Sequence, residues 1–432
     1  YIKNIFLYKN QLNFNTNDLY TIFDDSMPSF EDYRTGIKFS SKFNNSKIQI
    51  AYNIEERKKN SYFFNYQNLG CGDNDCNDSN ILQSASFVNA KSKNNNFLFK
   101  YDLYKKNILS LGFEINDSKY SSFNIYTSNG EIWDIYGQSI FNGVDGSKSY
   151  LKKEFFIGKQ WMLKKSNQIY ISSRYVASDN YGDNLVYSLA YMIKNFMPYN
   201  LRLNYSKGFR TPSIKELFYN FQDHDPPIVG NSELEATTNN FYALSIDRRE
   251  IMNSNISFEL FYNDINNMVG IDYAALDLEQ NLIYQYRNFE NVSFYGLNCH
   301  YERSINNKYN IKFVYNNTQS KSNNIEALEL VSENSFRFNY TATTIDQKFK
   351  LSLNLKYSSE KFIIDITENK IMLDNYFMTD IILISNLSKY AEVKVGCKNL
   401  FDYKDQRSEF SEILTTSDPG RRVVFELKLN IK

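Results

Sequence analysis

The sequence predicts an all-β protein, a large antiparallel transmembrane β-barrel of about 20 to 22 strands with long extracellular loops. Three observations support this fold class. Apolar and polar residues alternate along segments of about 10 to 12 residues, the length of a tilted strand that crosses a bilayer. The 35 tyrosines and 34 phenylalanines concentrate near the ends of these segments, where barrels carry aromatic girdles. Long and short connections alternate along the chain.

The alternation is clear in the segment NLRLNYSKGFR, where Leu201, Leu203 and Tyr205 share one face and Arg202 and Asn204 share the other. The same period of two residues recurs in SFRFNYT, LSLNLKYS and VVFELKLNI. In a membrane barrel the apolar face contacts lipid and the polar face lines the lumen. The alternative is a large soluble β-protein, but ordinary strands have only about 5 to 6 residues.

The connections between the alternating segments fall into two classes. The long ones are predicted at 67–94, 210–237, 265–281, 319–331, 359–373 and 398–420. The short ones are predicted at 194–198, 249–254, 304–309, 343–348 and 388–390. Outer-membrane barrels have short periplasmic turns and longer extracellular loops. We therefore expect one barrel domain over residues 1–432, with the long connections outside the cell.

Composition excludes several other classes of protein. Lysine plus arginine and aspartate plus glutamate both number 49, so the chain has no excess positive charge for nucleic acid. No apolar run is long enough for a transmembrane helix. The sequence contains no glycine-rich phosphate loop, no Gly-x-Ser-x-Gly element and no paired histidine motif, so we do not expect an enzyme. The chain starts at Tyr1 without a signal peptide, and we interpret it as a processed or excised piece.

One segment, residues 206–235, interrupts the alternation and holds three of the six prolines. Its two parts, KGFRTPSIKELF and GNSELEATTNN, resemble the mid-barrel signature of the TonB-dependent outer-membrane receptors. The matching positions are Gly208, Phe209, Arg210, Pro212, Glu216, Leu217, Gly230, Asn231 and Leu234.

Three further segments resemble the same family, in the family's order along the chain. NVSFYGLN is similar to a family strand, with Asn298 where glutamate is usual. KNLFDYK and PGRRVVFELKL are similar to the family's C-terminal pair of elements, through Asn399, Leu400, Phe401, Pro419, Gly420 and Arg421. Two features depart from the family pattern: no N-terminal plug domain is visible, and the last residue is Lys432 instead of an aromatic residue.

The resemblance implies a receptor of the bacterial outer membrane that takes up a scarce metal-containing nutrient, namely a ferric siderophore, haem or cobalamin. The implied partners are outer-membrane lipid, the metal-chelate ligand and TonB, which would act through a plug domain that is not in this chain. The alternatives are a passive substrate-specific porin, which needs a constricting loop and no plug, and an adhesive barrel, which usually carries a passenger domain.

His224 lies in the segment FQDHDPP, between Asp223 and Asp225, within the predicted loop 210–237. Haem receptors of the family carry a histidine between the same two motifs, and imidazole is a suitable axial ligand of haem iron. The alternative is a solvated loop histidine. A siderophore or cobalamin would instead use aromatic and polar loop side chains such as Tyr219 and Phe221. The second histidine, His300, is expected to line the lumen.

The segment CGDNDCNDSN, residues 71–80, is the other compact group of candidate ligand residues. Cys71 and Cys76 would share one extracellular loop in oxidising surroundings, so we expect a disulfide there. Oxygen ligands at alternate positions resemble the start of a calcium loop, although no glutamate closes the loop and a solvated tip is the alternative. The candidate calcium ligands are Asp73, Asp75, Asn77 and Asp78. Cys299 and Cys397 are expected to be reduced packing residues in strands.

Overall fold

In the residues that it describes, the computed structural model of the chain contains 24 strands, one short α-helix and one short 3-10 helix. The residues that the structure describes are 2–12, 27–63, 85–122, 146–164, 167–179, 181–196, 199–218, 220–221, 228–251, 254–276, 282–306, 308–329, 331–364, 370–388, 390–404 and 420–429. Within these ranges, no helix is long and apolar enough to cross a membrane.

The elements follow in chain order. They are β1 (Ile2–Leu12), β2 (Met27–Phe43), β3 (Ser46–Phe63), β4 (Ala85–Tyr104), β5 (Ile108–Ser122), β6 (Gly146–Met162), β7 (Gln168–Ser178), β8 (Gly182–Phe196), β9 (Tyr199–Arg210), α1 (Ile214–Phe218), β10 (Asn220–Phe221), β11 (Ile228–Val229), β12 (Thr237–Ile251), β13 (Ser254–Asn266), β14 (Met268–Leu276), β15 (Leu282–Phe289), β16 (Val292–Ile305), β17 (Tyr309–Lys321), a 3-10 helix (Ile325–Leu328), β18 (Asn334–Thr343), β19 (Phe349–Ser358), β20 (Lys361–Ile364), β21 (Lys370–Leu373), β22 (Tyr376–Ser388), β23 (Ala391–Lys398) and β24 (Arg422–Leu429).

Eighteen of these strands form one antiparallel sheet in which each strand pairs with the next one along the chain. The other six strands form two small sheets inside the long connections, β10-β11-β15-β14 and β20-β21. The sequence predicts about 20 to 22 strands, and part of that number is found in these small sheets rather than in the main one. The all-β, antiparallel prediction is confirmed. Among the described strands, no ladder joins β1 to β24.

Long and short connections alternate as the sequence predicts. The short ones occupy 44–45, 105–107, 163–167, 197–198, 252–253, 306–308, 344–348 and 389–390. Asn44, Asn306 and Gln347 have positive φ angles of 45°, 51° and 56° in three of these turns, and asparagine tolerates this conformation better than most residues. The opposite rim carries the long connections, with one exception, the three residues 179–181 between β7 and β8.

The two faces of the sheet differ in chemistry. Large apolar side chains lie exposed on the outer face, including Leu189, Leu203 and Leu260, which are 46%, 47% and 54% exposed. On the inner face, Ser245 donates a hydrogen bond to Glu259 at 3.0 Å, and the Asn298 amide donates to the same carboxylate at 3.2 Å. This arrangement matches a barrel with an apolar exterior and a polar interior.

A row of tyrosines borders the apolar band towards the long connections. Tyr187, Tyr205, Tyr242, Tyr262 and Tyr295 come from five consecutive strands of the sheet, and neighbouring ring centroids are 4.9 to 6.4 Å apart. Such rings have an apolar body and a polar tip, and they favour the boundary between lipid and water. The row therefore marks one edge of the membrane-spanning band.

Charged groups on the inner face are paired. Glu154 is only 4% exposed, and its carboxylate forms ion pairs with Lys152, at 2.7 Å, and with Arg174. Asp102 is 3% exposed and accepts hydrogen bonds from Ser110 at 2.5 Å and from Lys100 at 3.2 Å. A buried carboxylate is stable only with such partners, so these contacts stabilise the inward orientation of Glu154 and Asp102.

The assignment of the two faces can be tested on β9. Leu203→Arg places a cation in the apolar band and should cost about 2 to 4 kcal/mol of folding free energy if the residue lies near the midplane. Asn204→Arg points to the polar interior and should cost much less. A refolding titration into lipid vesicles measures both variants, and equal costs would contradict the assignment.

Candidate functional site

The mouth of the barrel on the side of the long connections begins with helix α1, and its sequence explains why the helix forms. Ser213 precedes the helix and Glu216 follows three residues later, which is the capping-box pattern. The Ser213 N–H donates to the Glu216 carboxylate at 2.6 Å, and the Glu216 N–H donates to Ser213 Oγ at 3.3 Å. Pro212 fixes the chain just before the cap. Two backbone donors at the helix start are thereby satisfied.

Helix α1 packs tightly against the second half of the same connection. Leu217 of the helix and Leu234 of the second half are both buried, at 5% and 3% exposed. A Cβ on Gly230 would lie 2.7 Å from the Phe218 nitrogen and 2.8 Å from the Leu217 carbonyl carbon. Only glycine permits this approach of two backbones. Arg210, at the end of β9, forms an ion pair with Glu216 and neutralises its charge.

Asn231 ties three segments of the mouth together. Its N–H donates to the Glu216 carbonyl at 2.9 Å, its side-chain amide donates to the Tyr286 carbonyl at 2.9 Å, and its side-chain oxygen accepts from the Glu233 N–H at 2.9 Å. The Gly-Asn pair of the predicted signature is therefore architectural: it attaches the connection between β9 and β12 to strand β15.

A second set of amide contacts joins the same two connections lower down. The Asn288 side chain accepts from the Glu235 N–H at 2.8 Å and donates to the carbonyls of Glu235 and Asn267, at 3.0 Å each. Strand β11 also pairs with β15 in parallel. Beneath them, Phe289 and Val292 are 3% and 0% exposed and pack with Ala327 of the 3-10 helix. Hydrogen bonds and strand pairing thus join the connections 211–236 and 267–291 into one unit, which we call the cap.

The C-terminal motif, which includes Asn399, also has a structural role. Asn399 is fully buried and has a φ of 50°. Its side-chain amide donates to the Tyr403 carbonyl at 2.7 Å and its side-chain oxygen accepts from the Tyr403 N–H at 2.9 Å. The sequence analysis missed Asp380, which accepts from the Asn399 N–H at 2.9 Å, and Asp402, which accepts from the Arg421 N–H at 2.7 Å.

Phe401 and Leu400 complete this turn. The Phe401 ring centroid lies 6.1 Å from that of Phe377, and the Leu400 N–H donates to the Thr379 carbonyl at 2.8 Å. Gly420 has a φ of 77°, and a Cβ there would lie 2.7 Å from the Asp402 carboxylate. Phe401 and Leu400 therefore attach the turn after β23 to β22, and Gly420 lets the residues before β24 approach Asp402 in the same turn.

Aromatic rings and ammonium groups converge on the cap from separate parts of the chain. The Tyr150 hydroxyl donates to Thr211 Oγ1 at 2.9 Å and lies 2.8 Å from Ser178 Oγ. The Lys148 Nζ lies 4.6 Å from the ring centroid of Phe218, and the Lys215 Nζ lies 5.3 Å from that of Tyr120. We call Tyr120, Lys148, Tyr150, Tyr181, Lys215 and Tyr286 the mouth surface.

Two phenols of the mouth surface are held in the protonated form. Burial, followed by the charges of Tyr150 and Glu216, raises the pKa of Tyr181 to about 12. Burial, followed by the charge of Glu216, also raises the pKa of Tyr286. At neutral pH both side chains are therefore neutral and retain an O–H that can donate.

This surface offers ring faces, phenolic donors and two ammonium groups. Such groups bind anionic oxygens and planar rings. The arrangement suits recognition of a large, negatively charged chelate and carries no nucleophile paired with a base. The sequence analysis missed Lys148, Tyr150, Tyr181 and Tyr286, because they come from three separate segments that only the fold brings together.

Most of the predicted ligand residues lie outside the described residues, so their roles stay predictions. These are Cys71, Asp73, Asp75, Cys76, Asn77, Asp78, Tyr219, Asp223, His224, Asp225 and Pro419. Phe221 lies in β10, where its backbone pairs with Ile228 of β11. Within the ranges given above, no group of three or more histidine, cysteine or acidic side chains could hold a metal ion.

His300, Cys299 and Cys397 lie in strands, as the sequence predicts. His300 shares the inner face with Asn298, and its Nε2 lies 3.8 Å from the Glu302 carboxylate. Cys299 and Cys397 are both free thiols and half-buried.

Comparison with known proteins places these observations in context. The family model described as "TonB dependent receptor-like, beta-barrel" matches residues 3–400. No curated protein matches the chain. Among solved structures, a mutant of the ferric enterobactin receptor PfeA from Pseudomonas aeruginosa superposes with a TM-score of 0.70 at 15% identity, over 93% of this chain and 62% of that one.

Two further structures are similar to a comparable degree. The siderophore receptor PirA from Pseudomonas aeruginosa has a TM-score of 0.68 at 13% identity, over 94% of this chain and 64% of that one. The iron transporter FrpB from Neisseria meningitidis has a TM-score of 0.66 at 9% identity, over 94% and 63%. The chain therefore spans somewhat less than two thirds of the length of these structures.

Gly230→Ala tests whether the cap depends on close backbone packing. The added methyl group would meet the α1 backbone, so we expect a local cost of about 1 to 3 kcal/mol and faster proteolysis within 211–236, with the barrel itself still folded. The matched control is Ser232→Ala in the same turn, where the side chain is exposed. Unchanged proteolysis in the glycine variant would contradict the packing argument.

Proposed function

The chain belongs to the TonB-dependent receptor-like β-barrel family of the bacterial outer membrane, and from this premise we propose that it takes up a ferric siderophore. Members of this family are transporters rather than enzymes. The observation that supports the ligand class is the mouth surface, where the exposed Lys215 and the half-buried Lys148 lie with neutral phenols at the rim of the long connections. Because Arg210 engages Glu216, the carboxylate nearest this surface has its charge compensated.

The charge of the ligand distinguishes the three candidate classes. A ferric siderophore with anionic oxygen donors gains charge-assisted hydrogen bonds from the two ammonium groups and further hydrogen bonds from the phenols. Haem needs an axial ligand such as imidazole, and cobalamin carries no comparable set of anionic oxygens. PfeA, to which this chain is 16% identical, has been solved in complex with enterobactin. That complex supports the proposal by analogy of fold.

Release into the periplasm would follow binding at the mouth. In this proposal, TonB acts through a plug domain, the arrangement that the family resemblance implies. The inner wall suits passage of a polar chelate because its charged groups, such as Glu154 with Lys152 and Arg174, are paired with one another. A passive porin remains the alternative, and the family match favours the receptor.

A binding screen tests the proposal directly. The refolded chain is titrated with ferric enterobactin, haemin and cyanocobalamin, and the intrinsic fluorescence of the protein reports binding. We expect saturable quenching by a ferric siderophore. Saturable binding of cyanocobalamin alone, or of none of the three, would contradict the proposed ligand class.

Lys148→Gln combined with Lys215→Gln tests the mouth surface. Loss of two charge-assisted contacts should weaken siderophore binding by about tenfold or more, and high salt should reduce the difference. The matched control is Lys308→Gln, in a short turn at the opposite rim. If the double variant binds as tightly as the control, the mouth surface is not the ligand site.

Haem is the second candidate ligand, because His224 lies between the two parts of the mid-barrel signature. His224→Ala should then change the absorption spectrum of the haem complex and weaken haem binding, while the barrel folds normally, since a loop residue contributes little apolar burial. An unchanged haem spectrum in the variant, or no haem binding by the parent chain, would eliminate this candidate and leave the siderophore proposal standing.

A further inference from the structure

Lysines cluster on the outer face of β3 to β6, above the apolar band. Lys93 of β4 lies directly opposite Lys119 of β5, and Lys91 of β4 lies directly opposite Lys58 of β3. Lys153 of β6 lies opposite Ile115 of β5. Strand alternation places all five side chains on the face that also carries the exposed Phe155. We call Lys93, Lys119 and Lys153 the lysine triad.

Only part of this positive charge is balanced by neighbouring carboxylates. Lys91 forms an ion pair with Glu56 at 3.0 Å, and Lys58 forms one with Glu31 at 3.6 Å. Asp117 lies on the same face and accepts a hydrogen bond from Asn95 at 3.2 Å.

The three lysines of the triad form no such ion pair, although Glu56 lies directly opposite Lys93 on β3 and Asp117 lies two residues from Lys119 on the same face. Within the part of the chain that the structure describes, no carboxylate lies within ion-pair distance of Lys93, Lys119 or Lys153. All three residues are exposed. Like charges directly opposite each other destabilise a β-sheet, so the Lys93 and Lys119 pair costs stability unless an anion lies between the two ammonium groups.

The height of the triad places it at the level of lipid headgroups. Lys93 and Lys119 lie 12 residues along their strands from the short turn at 105–107, and Lys153 lies 10 residues from the turn at 163–167. These separations correspond to about 25 to 31 Å along the barrel axis at ordinary strand rise and tilt. The apolar band of such a barrel is about 25 Å tall. The triad therefore lies just above the outer edge of the hydrocarbon layer.

An apolar groove lies directly below the triad on the same face. It has a volume of about 400 Å³ and is lined by aromatic and aliphatic side chains, among them Phe99, Leu111, Phe113, Phe155 and Ile157. Gly112 contributes to the lining, and neighbouring rings Phe99, Phe113 and Phe155 are 5.6 to 6.2 Å apart. Its apolar lining therefore suits contact with the acyl chain of a lipid.

We propose that the lysine triad and this groove together bind one phosphate-bearing lipid of the outer leaflet, with its phosphate groups at the lysines and an acyl chain in the groove. A phosphate group at the lysines would offset the repulsion between Lys93 and Lys119, which lie directly opposite each other and form no ion pair. The site faces the membrane, on the opposite side of the sheet from the polar interior, so it is separate from uptake through the barrel.

The test measures binding of lipid A to the refolded full chain in neutral detergent micelles, by native mass spectrometry and by the rise in unfolding temperature. The triple variant K93Q/K119Q/K153Q should bind lipid A at least tenfold more weakly, since each lysine near an anionic headgroup contributes roughly a fivefold effect. The matched control is Lys159→Gln, on the same face of β6 but near the opposite edge of the band.

Two further variants keep the test decisive. Arginine at all three positions retains the charge and should restore binding, and Lys93→Gln alone replaces the triple variant if that one does not fold. Equal lipid A binding by the parent chain and the triple variant, or equal loss in Lys159→Gln, would overturn the proposal. Displacement of lipid A by excess inorganic phosphate would show a free-anion site and would also overturn it.

Discussion

The hydrogen-bonding demand of the backbone in a bilayer is the constraint on which this structure depends. Lipid offers no partner to an N–H or C=O group, so each spanning strand must pair with both neighbours along its length. In the eighteen-stranded antiparallel sheet, the sixteen strands between β1 and β24 meet this demand with a ladder on each side. Once the ladders are fixed, side chains alternate between two environments, and the sequence must supply apolar residues such as Leu203 to one face and polar residues such as Asn298 to the other.

Beyond the bilayer, backbone groups no longer have to be paired in continuous ladders, and asparagine side chains supply some of their hydrogen bonds. Asn231, Asn288 and Asn399 each donate a side-chain amide hydrogen bond to a backbone carbonyl, of Tyr286, Glu235 and Tyr403 respectively. An amide matches the donor and acceptor pattern of the backbone and so continues its hydrogen bonding where strands end. Asn231 and Asn399 belong to the motifs by which the chain resembles its family, so these motifs serve as attachment points. In the proposed function, ligand selectivity depends instead on residues such as Lys148.

The sequence predicts what depends on local periodicity and turn chemistry. It predicts the strands, the two faces of β9 and the alternation of connections, because each depends on residues close together in the chain. It also predicts Gly230 and Asn231 through their motif, although not their contacts. It does not predict the hairpin of β14 and β15 inside a loop, nor the convergence of Tyr150, Tyr181 and Tyr286, because cross-strand register brings these together from distant segments. The sequence also does not predict the roles of Asp380 and Asp402, because an isolated aspartate in a sequence looks the same whether it binds a backbone N–H group or faces solvent.

Strand alternation also explains how one strand serves two surfaces. On β6, Lys152 points inward and pairs with Glu154, while the adjacent Lys153 points outward to the level of the headgroups. A slip of one residue in the pairing with β5 would exchange the two faces. It would turn Glu154 and Lys152 together into the apolar band, away from Arg174 of β7, and would expose Phe155 to the polar interior. The ion pair between Glu154 of β6 and Arg174 of β7 therefore does more than line the interior. It favours the register of β6 that places Lys152 on the inner face and Lys153 on the outer face.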